Sequence, residues 1–177
     1  MNVKAAKMPL YQLSNLYIDY ILHKVPGITN YLGTFSADTL PVRLPLEKNF
    51  SLIANTSQHN TVGSHWIAIT YTHATKTLFL FDPLCLGSRY MPHIYNWLQK
   101  KLHAGCKVRT LQRPVQDMRS IVCGYFCIYM VLLHSLQDKL TPAMKKKLKA
   151  FNRYDLRNND LVVMYNVNKL IKYASVR

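Results

Sequence analysis

"PVQDMRSIVCGYFCIYM" (residues 114–130) sets Gln116 seven residues ahead of a Cys-Gly pair, Cys123 and Gly124, and runs on into a solid apolar stretch. That stretch, "IVCGYFCIYMVLL" (121–133), is too short to span a bilayer and reads as a buried helix from about Cys123 to Gln137. A cysteine that opens a helix sits where the first backbone N–H groups have no intrahelical partner and where the macrodipole places partial positive charge. Both effects favour a thiolate over a thiol, and the thiolate is the nucleophile. Gly124 is expected to let a substrate approach the backbone without meeting a Cβ. A nucleophile also requires a base, a group to orient the base and a second oxyanion donor.

Working outward, three strands are expected upstream: "FSLIANT" (50–56), "HWIAITYT" (65–72) and "KTLFLFD" (76–82). The last two are joined by "HATK" and form an antiparallel hairpin. "LYQLSNLYIDYILHKV" (10–25) has helical spacing and stops at Pro26-Gly27, whereas "ITNYLGTFSADTLPVRLPLEKN" (28–49) is loop-rich. A helix over 90–105 ending at Gly105, a strand over 107–112 and a last helix over 159–174 complete the pattern. Strands clustered in the middle with helices at both ends indicate an α+β domain, taken as one unit over residues 1–177.

Half of the chain is apolar, which excludes a disordered or fibrous protein. Twenty-three Lys and Arg against eight Asp and Glu leave a formal charge of +15, which favours a polyanionic partner such as nucleic acid. "MNVKAAKMPL" lacks the apolar core of a signal peptide. A reducing cytosol or nucleus is therefore expected, with Cys85, Cys106, Cys123 and Cys127 mainly free.

His65 is the best-placed base, because it opens a strand behind a loop. Asp82 closes the paired strand, so the two are expected to be neighbours although 17 residues apart. Asp82 would fix the imidazole tautomer and stabilise imidazolium, and Gln116 would supply a side-chain oxyanion donor. Plainer readings stand beside this one. His65 can be structural, Asp82-Pro83 only a turn, and Cys123 with Cys127 two small core residues or half of a zinc site that no second pair completes.

In order, "NYLGTF" (30–35), "ANT" (54–56), "VGSHW" (62–66), "LFDP" (80–83), "VQ" (115–116) and "CGYFC" (123–127) resemble the adenovirus proteinase (adenain) family of cysteine endopeptidases. The 17-residue step from histidine to acid and the seven-residue step from glutamine to cysteine are similar to that family's spacing, and the resemblance covers roughly residues 28–135. His-Trp and Cys-Gly also occur in SUMO- and ubiquitin-type proteases, but "LGTF" favours the viral branch. The resemblance implies an α+β cysteine-protease fold of the adenain/SUMO-protease type, with a central mixed sheet, a buried nucleophile helix and flanking helices. It implies Cys123 as nucleophile, His65 as base, Asp82 as acid and Gln116 as oxyanion donor. Two departures point to a divergent adenovirus-like virus or element. The acid is Asp where adenovirus members commonly have Glu, and the chain is shorter between its central and final helices.

The activity so implied is cleavage of virion precursor proteins at Gly-containing sites, after a larger apolar residue, in the virion and host nucleus. No metal, small-molecule cofactor or membrane is expected, and the chain is expected to be monomeric. The resemblance also implies DNA as a sequence-independent activator. The candidate contacts are Lys100, Lys101, Lys107, Arg109, Arg113, Lys145, Lys146, Lys147, Lys149 and Arg153. It further implies an activating viral peptide held by a disulfide to Cys106, which stands ten residues before Gln116. Two other functions remain open at this point: a deubiquitinating or deSUMOylating protease of the same clan, and an inactive, basic DNA-binding module.

Overall fold

Ser14 starts the first helix: its Oγ accepts from the Tyr17 N–H at 3.2 Å and its carbonyl from the Ile18 N–H at 3.0 Å. Helix α1 therefore runs over Asn15–Lys24 rather than 10–25, and it buries Ile18 and Leu22, one turn apart. In the computed structural model, which describes residues 12–138, 140, 142 and 151–175, this helix is followed by strands β1 (Tyr31–Phe35), β2 (Phe50–Asn55), β3 (Trp66–Thr72) and β4 (Thr77–Phe81). Helix α2 (Pro92–His103), strand β5 (Lys107–Thr110), helix α3 (Cys123–Leu136) and helix α4 (Leu156–Ser175) complete it.

The five strands lie in sequence order in one sheet. β2, β3 and β4 are antiparallel to one another, while β1 and β5 join their neighbours in parallel, so the sheet is mixed as expected. All six residues of β2 are buried, because the sheet is covered on both faces. One face meets α1, α3 and α4 through Ile53, Ala68 and Phe81. The other meets α2 through Leu52, Ile67 and Leu80. α3 buries ten of its fourteen residues in the first of these layers, which is why its sequence shows no polar stripe.

The hairpin between β3 and β4 closes through one 3₁₀ turn, His73–Thr75, and a left-handed Lys76 at φ 50°. The stretch read as loop-rich holds a strand after all. β1 is an edge strand whose five residues are all half-buried, and its register with β2 slips between Tyr31 and Thr34, where Gly33 takes φ +124°. Half-burial and a slipped register erase the alternation that would have marked it. β5 ends at Thr110 rather than at residue 112. α4 begins three residues earlier than expected, where the Asn158 N–H bonds to Asp155 Oδ1 at 3.0 Å. Of the basic stretch 144–153, only residues 151–153 are among those described. There Phe151 packs its ring 5.3 Å from Phe126 and 5.5 Å from Tyr129.

Candidate active site

β3 and β4 bring one base and one acid to the same end of the sheet. His65 stands just before β3 and Asp82 just after β4, and the ladder that sets Ala68 opposite Phe81 makes them neighbours. His65 Nε2 lies 2.7 Å from Asp82 Oδ1, and both residues are 4% exposed. Asp82 is also the turn former of the plainer reading. It accepts from the Leu84 N–H at 3.0 Å and the Leu86 N–H at 2.6 Å, and these bonds aim the carboxylate at the ring. With Nε2 engaged, Nδ1 is the ring's other nitrogen, and Cys123 lies near enough to the imidazole to raise its pKa.

Burial pushes the His65 pKa down, but Asp82 and Cys123 outweigh it and raise it to about 9. Burial pushes the Asp82 carboxyl up. The His65 ring and the Leu86 and Leu84 N–H groups outweigh that too, and hold it below the ordinary carboxylate value.

Cys123 opens α3, and the preceding Val122 offers no side-chain cap, so the first N–H groups of the helix keep no capping side chain. Gln116 reaches the site through the acid's own turn. The Val115 and Gln116 N–H groups both donate to the Pro83 carbonyl, at 2.9 and 3.1 Å. The Gln116 side chain is 1% exposed; its Nε2 donates to the Ser120 carbonyl at 3.0 Å, which uses one of two amide hydrogens. His65 and Asp82 thus meet at one end of the sheet with Cys123 acting on the same ring, and Gln116 is bonded through its main chain to the residue after the acid.

Contacts between distant segments add what the sequence did not show. Gly124 has a packing reason to be small: a Cβ there would come within 3.1 Å of Leu13 Cβ. Leu13 in turn receives the Trp66 Nε1–H on its carbonyl at 2.8 Å, so the segment before α1 ties the start of β3 to the start of α3. Leu13 and Trp66 line a cleft of about 360 Å³ beside this turn. From the other side α4 braces the Gln116 loop. Asn159, 1% exposed, donates to the Val115 carbonyl at 2.9 Å, and Arg157 Nε reaches Asp117 Oδ2 at 3.2 Å.

The remaining cysteines stand apart. Cys127 is fully buried one turn behind Cys123, and burial pushes its thiol well up. Cys106 directly precedes β5 but is 6% exposed, inside the core layer under α2. Cys85 directs its thiol to the Leu111 carbonyl at 3.3 Å. Of the basic residues, Lys100, Lys107, Arg109, Arg113 and Arg153 are exposed, whereas Lys101 turns onto the Trp97 ring and the Val42 carbonyl. Lys145, Lys146, Lys147 and Lys149 lie outside the described residues.

Residues 31–174 match the family model described as adenovirus endoprotease. The chain is 30% identical over 118 residues to a protease of Bovine adenovirus B serotype 3, covering 61% of this chain and 57% of that one. It is 28% identical over 165 residues to a protease of Bovine adenovirus 2, covering 84% and 79%. It spans about half the length of most of the curated relatives it matches. Among solved structures, the central domain of the Lpg1148 protein of Legionella pneumophila covers 94% of this chain and is itself covered to 99%. It superposes with a TM-score of 0.51 at 12% identity, a likeness of fold.

The raised His65 pKa has a thermodynamic consequence. A histidine with a folded pKa near 9 stabilises fully below the unfolded value near 6.5 and loses that contribution as pH climbs through about 9. Thermal melting is therefore expected to fall from pH 6.5 to 9, and the Asp82→Asn variant to flatten that slope. Nuclear magnetic resonance of the imidazole should place its midpoint above neutrality. A midpoint at or below 6.5 would contradict the assignment.

Proposed function

Because the chain belongs to the adenovirus endoprotease family, we propose that it is a cysteine endopeptidase with Cys123 as nucleophile, His65 as base, Asp82 as orienting acid and Gln116 as oxyanion donor. The observation that carries this reading is the buried His65–Asp82 hydrogen bond of 2.7 Å, beside a cysteine that opens α3 and acts on the same imidazole. His65 and Cys123 form an imidazolium–thiolate pair, and the Cys123 thiolate attacks the scissile carbonyl carbon. The resulting oxyanion meets the Cys123 N–H and the free hydrogen of Gln116 Nε2. As the C–N bond breaks, His65 returns the proton to the leaving amine. Water, deprotonated by His65, then adds to the thioester carbonyl, and the C–S bond breaks to restore the thiolate. Asp82 holds the ring in the tautomer that serves both transfers.

Family membership supports virion precursor proteins as substrates, cut at Gly-containing sites during particle maturation in the virion and host nucleus. The formal charge of +15 and the exposed Lys100, Lys107, Arg109 and Arg113 around β5 support sequence-independent binding of DNA as an activator. β5 is also a sheet edge, which supports strand addition by an activating viral peptide. A disulfide from that peptide to Cys106 requires the end of α2 to lift from the thiol, since Cys106 is buried.

Three outcomes follow. On a Gly-containing fluorogenic peptide, with ubiquitin and SUMO substrates in parallel, Cys123→Ala should abolish cleavage and His65→Ala nearly so. Gln116→Ala should cost about 10²–10³ in kcat, and Asp82→Ala less than His65→Ala. Full activity of Cys123→Ala, or cleavage of the ubiquitin and SUMO substrates alone, would refute the assignment. For DNA, log affinity should fall linearly with log salt, with a slope near −0.9 per phosphate contacted; salt-independent binding would end that part. For the peptide, mass spectrometry without reductant on protease from particles should find a reducible adduct on Cys106. Unmodified Cys106 in protease that is fully active without peptide would exclude the clasp.

A further inference from the structure

"ANTSQHNTVGSHW" (54–66) leaves β2 at Asn55 and returns into β3 at Trp66, and these two residues face each other across the ladder. Asn55 is 5% exposed. Its Oδ1 accepts from the Ser57 N–H at 2.9 Å and the Ser64 N–H at 3.3 Å, one from each limb of the loop. Two backbone donors on one end of the amide decide which end is oxygen, so the NH₂ end is turned the other way. Nδ2 lies over Gly63, where a Cβ would come within 2.8 Å of it. Among the described residues nothing accepts a hydrogen bond from Nδ2. Asn55, Gly63, Leu13 and Trp66 all line the cleft of about 360 Å³ beside the turn that carries Cys123 and Gly124.

A loop tie needs only the oxygen of this amide. The nitrogen belongs to a side chain tied at its other end, in a residue that is 5% exposed, and it has no acceptor among the described residues of the cleft that Leu13 and Trp66 also line. A donor fixed in place at the wall of a cleft is pre-organised for a ligand oxygen, so little ordering is lost when the bond forms. We propose that Asn55 is a substrate-binding residue whose Nδ2 donates a hydrogen bond to a main-chain carbonyl of the extended peptide in the cleft. A main-chain carbonyl is present whatever the side chain, so the contact serves register along the peptide rather than residue choice. Gly63 keeps the space that this amide occupies. The inference rests on the peptidase reading above.

The discriminating variant is Asn55→Asp, which keeps an oxygen for the Ser57 and Ser64 N–H groups and removes the donor. Gly63→Ala is the second variant, since it pushes on Nδ2 and leaves Asn55 in place. Each is measured for cleavage of the Gly-containing peptide and for labelling of Cys123 by iodoacetamide, a reagent too small to use the cleft. The expected result is a fall in kcat/KM of about 10- to 100-fold, carried mainly by KM, with labelling at the wild-type rate. Equal losses in cleavage and labelling would make Asn55 a loop tie only, and unchanged cleavage would leave the cleft with no use for the amide. Either result overturns the inference. Wild-type protein that is labelled at Cys123 yet cleaves no peptide would overturn the peptidase reading, and the inference with it.

Discussion

The corner Asp82-Pro83 is the point on which the site depends. Its carboxylate takes three hydrogen bonds, from His65 Nε2 and from the Leu84 and Leu86 N–H groups. The next carbonyl, on Pro83, takes two more, from Val115 and Gln116. One dipeptide therefore orients the His65 ring with its side chain and positions Gln116 with its main chain. A carboxylate with 4% exposure is costly to bury, and the cost is offset only because its oxygens are so fully engaged. Removing any one of these partners leaves part of a buried charge unsatisfied, so the corner is rigid by necessity.

That rigidity fixes only one side of the site. Cys123 comes from α3, which packs on one face of the sheet, and the gap between strand ends and helix start is bridged by two ties. Leu13 touches both Trp66 and Gly124, and α4 holds the 115–117 loop through Asn159, Arg157 and Asp160, whose Oδ1 accepts from the Asp117 N–H at 3.4 Å. In each case a side chain or carbonyl far away in sequence meets main chain that would otherwise be free to shift. These ties fix where Cys123 and Gln116 stand relative to His65 and Asp82.

His65, Asp82, Cys123 and the elements that carry them were legible in the sequence because the relations between them are local or periodic. Asp82 meets His65 through a hairpin, where antiparallel register dictates which residues face each other. α3 was legible because an unbroken apolar run of its length has few other uses. The family likeness rests on the same short blocks. Other features were decided by the tertiary structure. β1 became a strand by pairing with β2 across a slipped register. Gln116 reached the site through the Pro83 carbonyl, 33 positions away, and Asn159 through Val115, 44 positions away. The size of Gly124 answers to Leu13, a packing contact that its place in a Cys-Gly pair does not reveal. Periodicity records which face of an element is buried. A single hydrogen bond or van der Waals contact between distant segments has no period, so only the folded chain shows it.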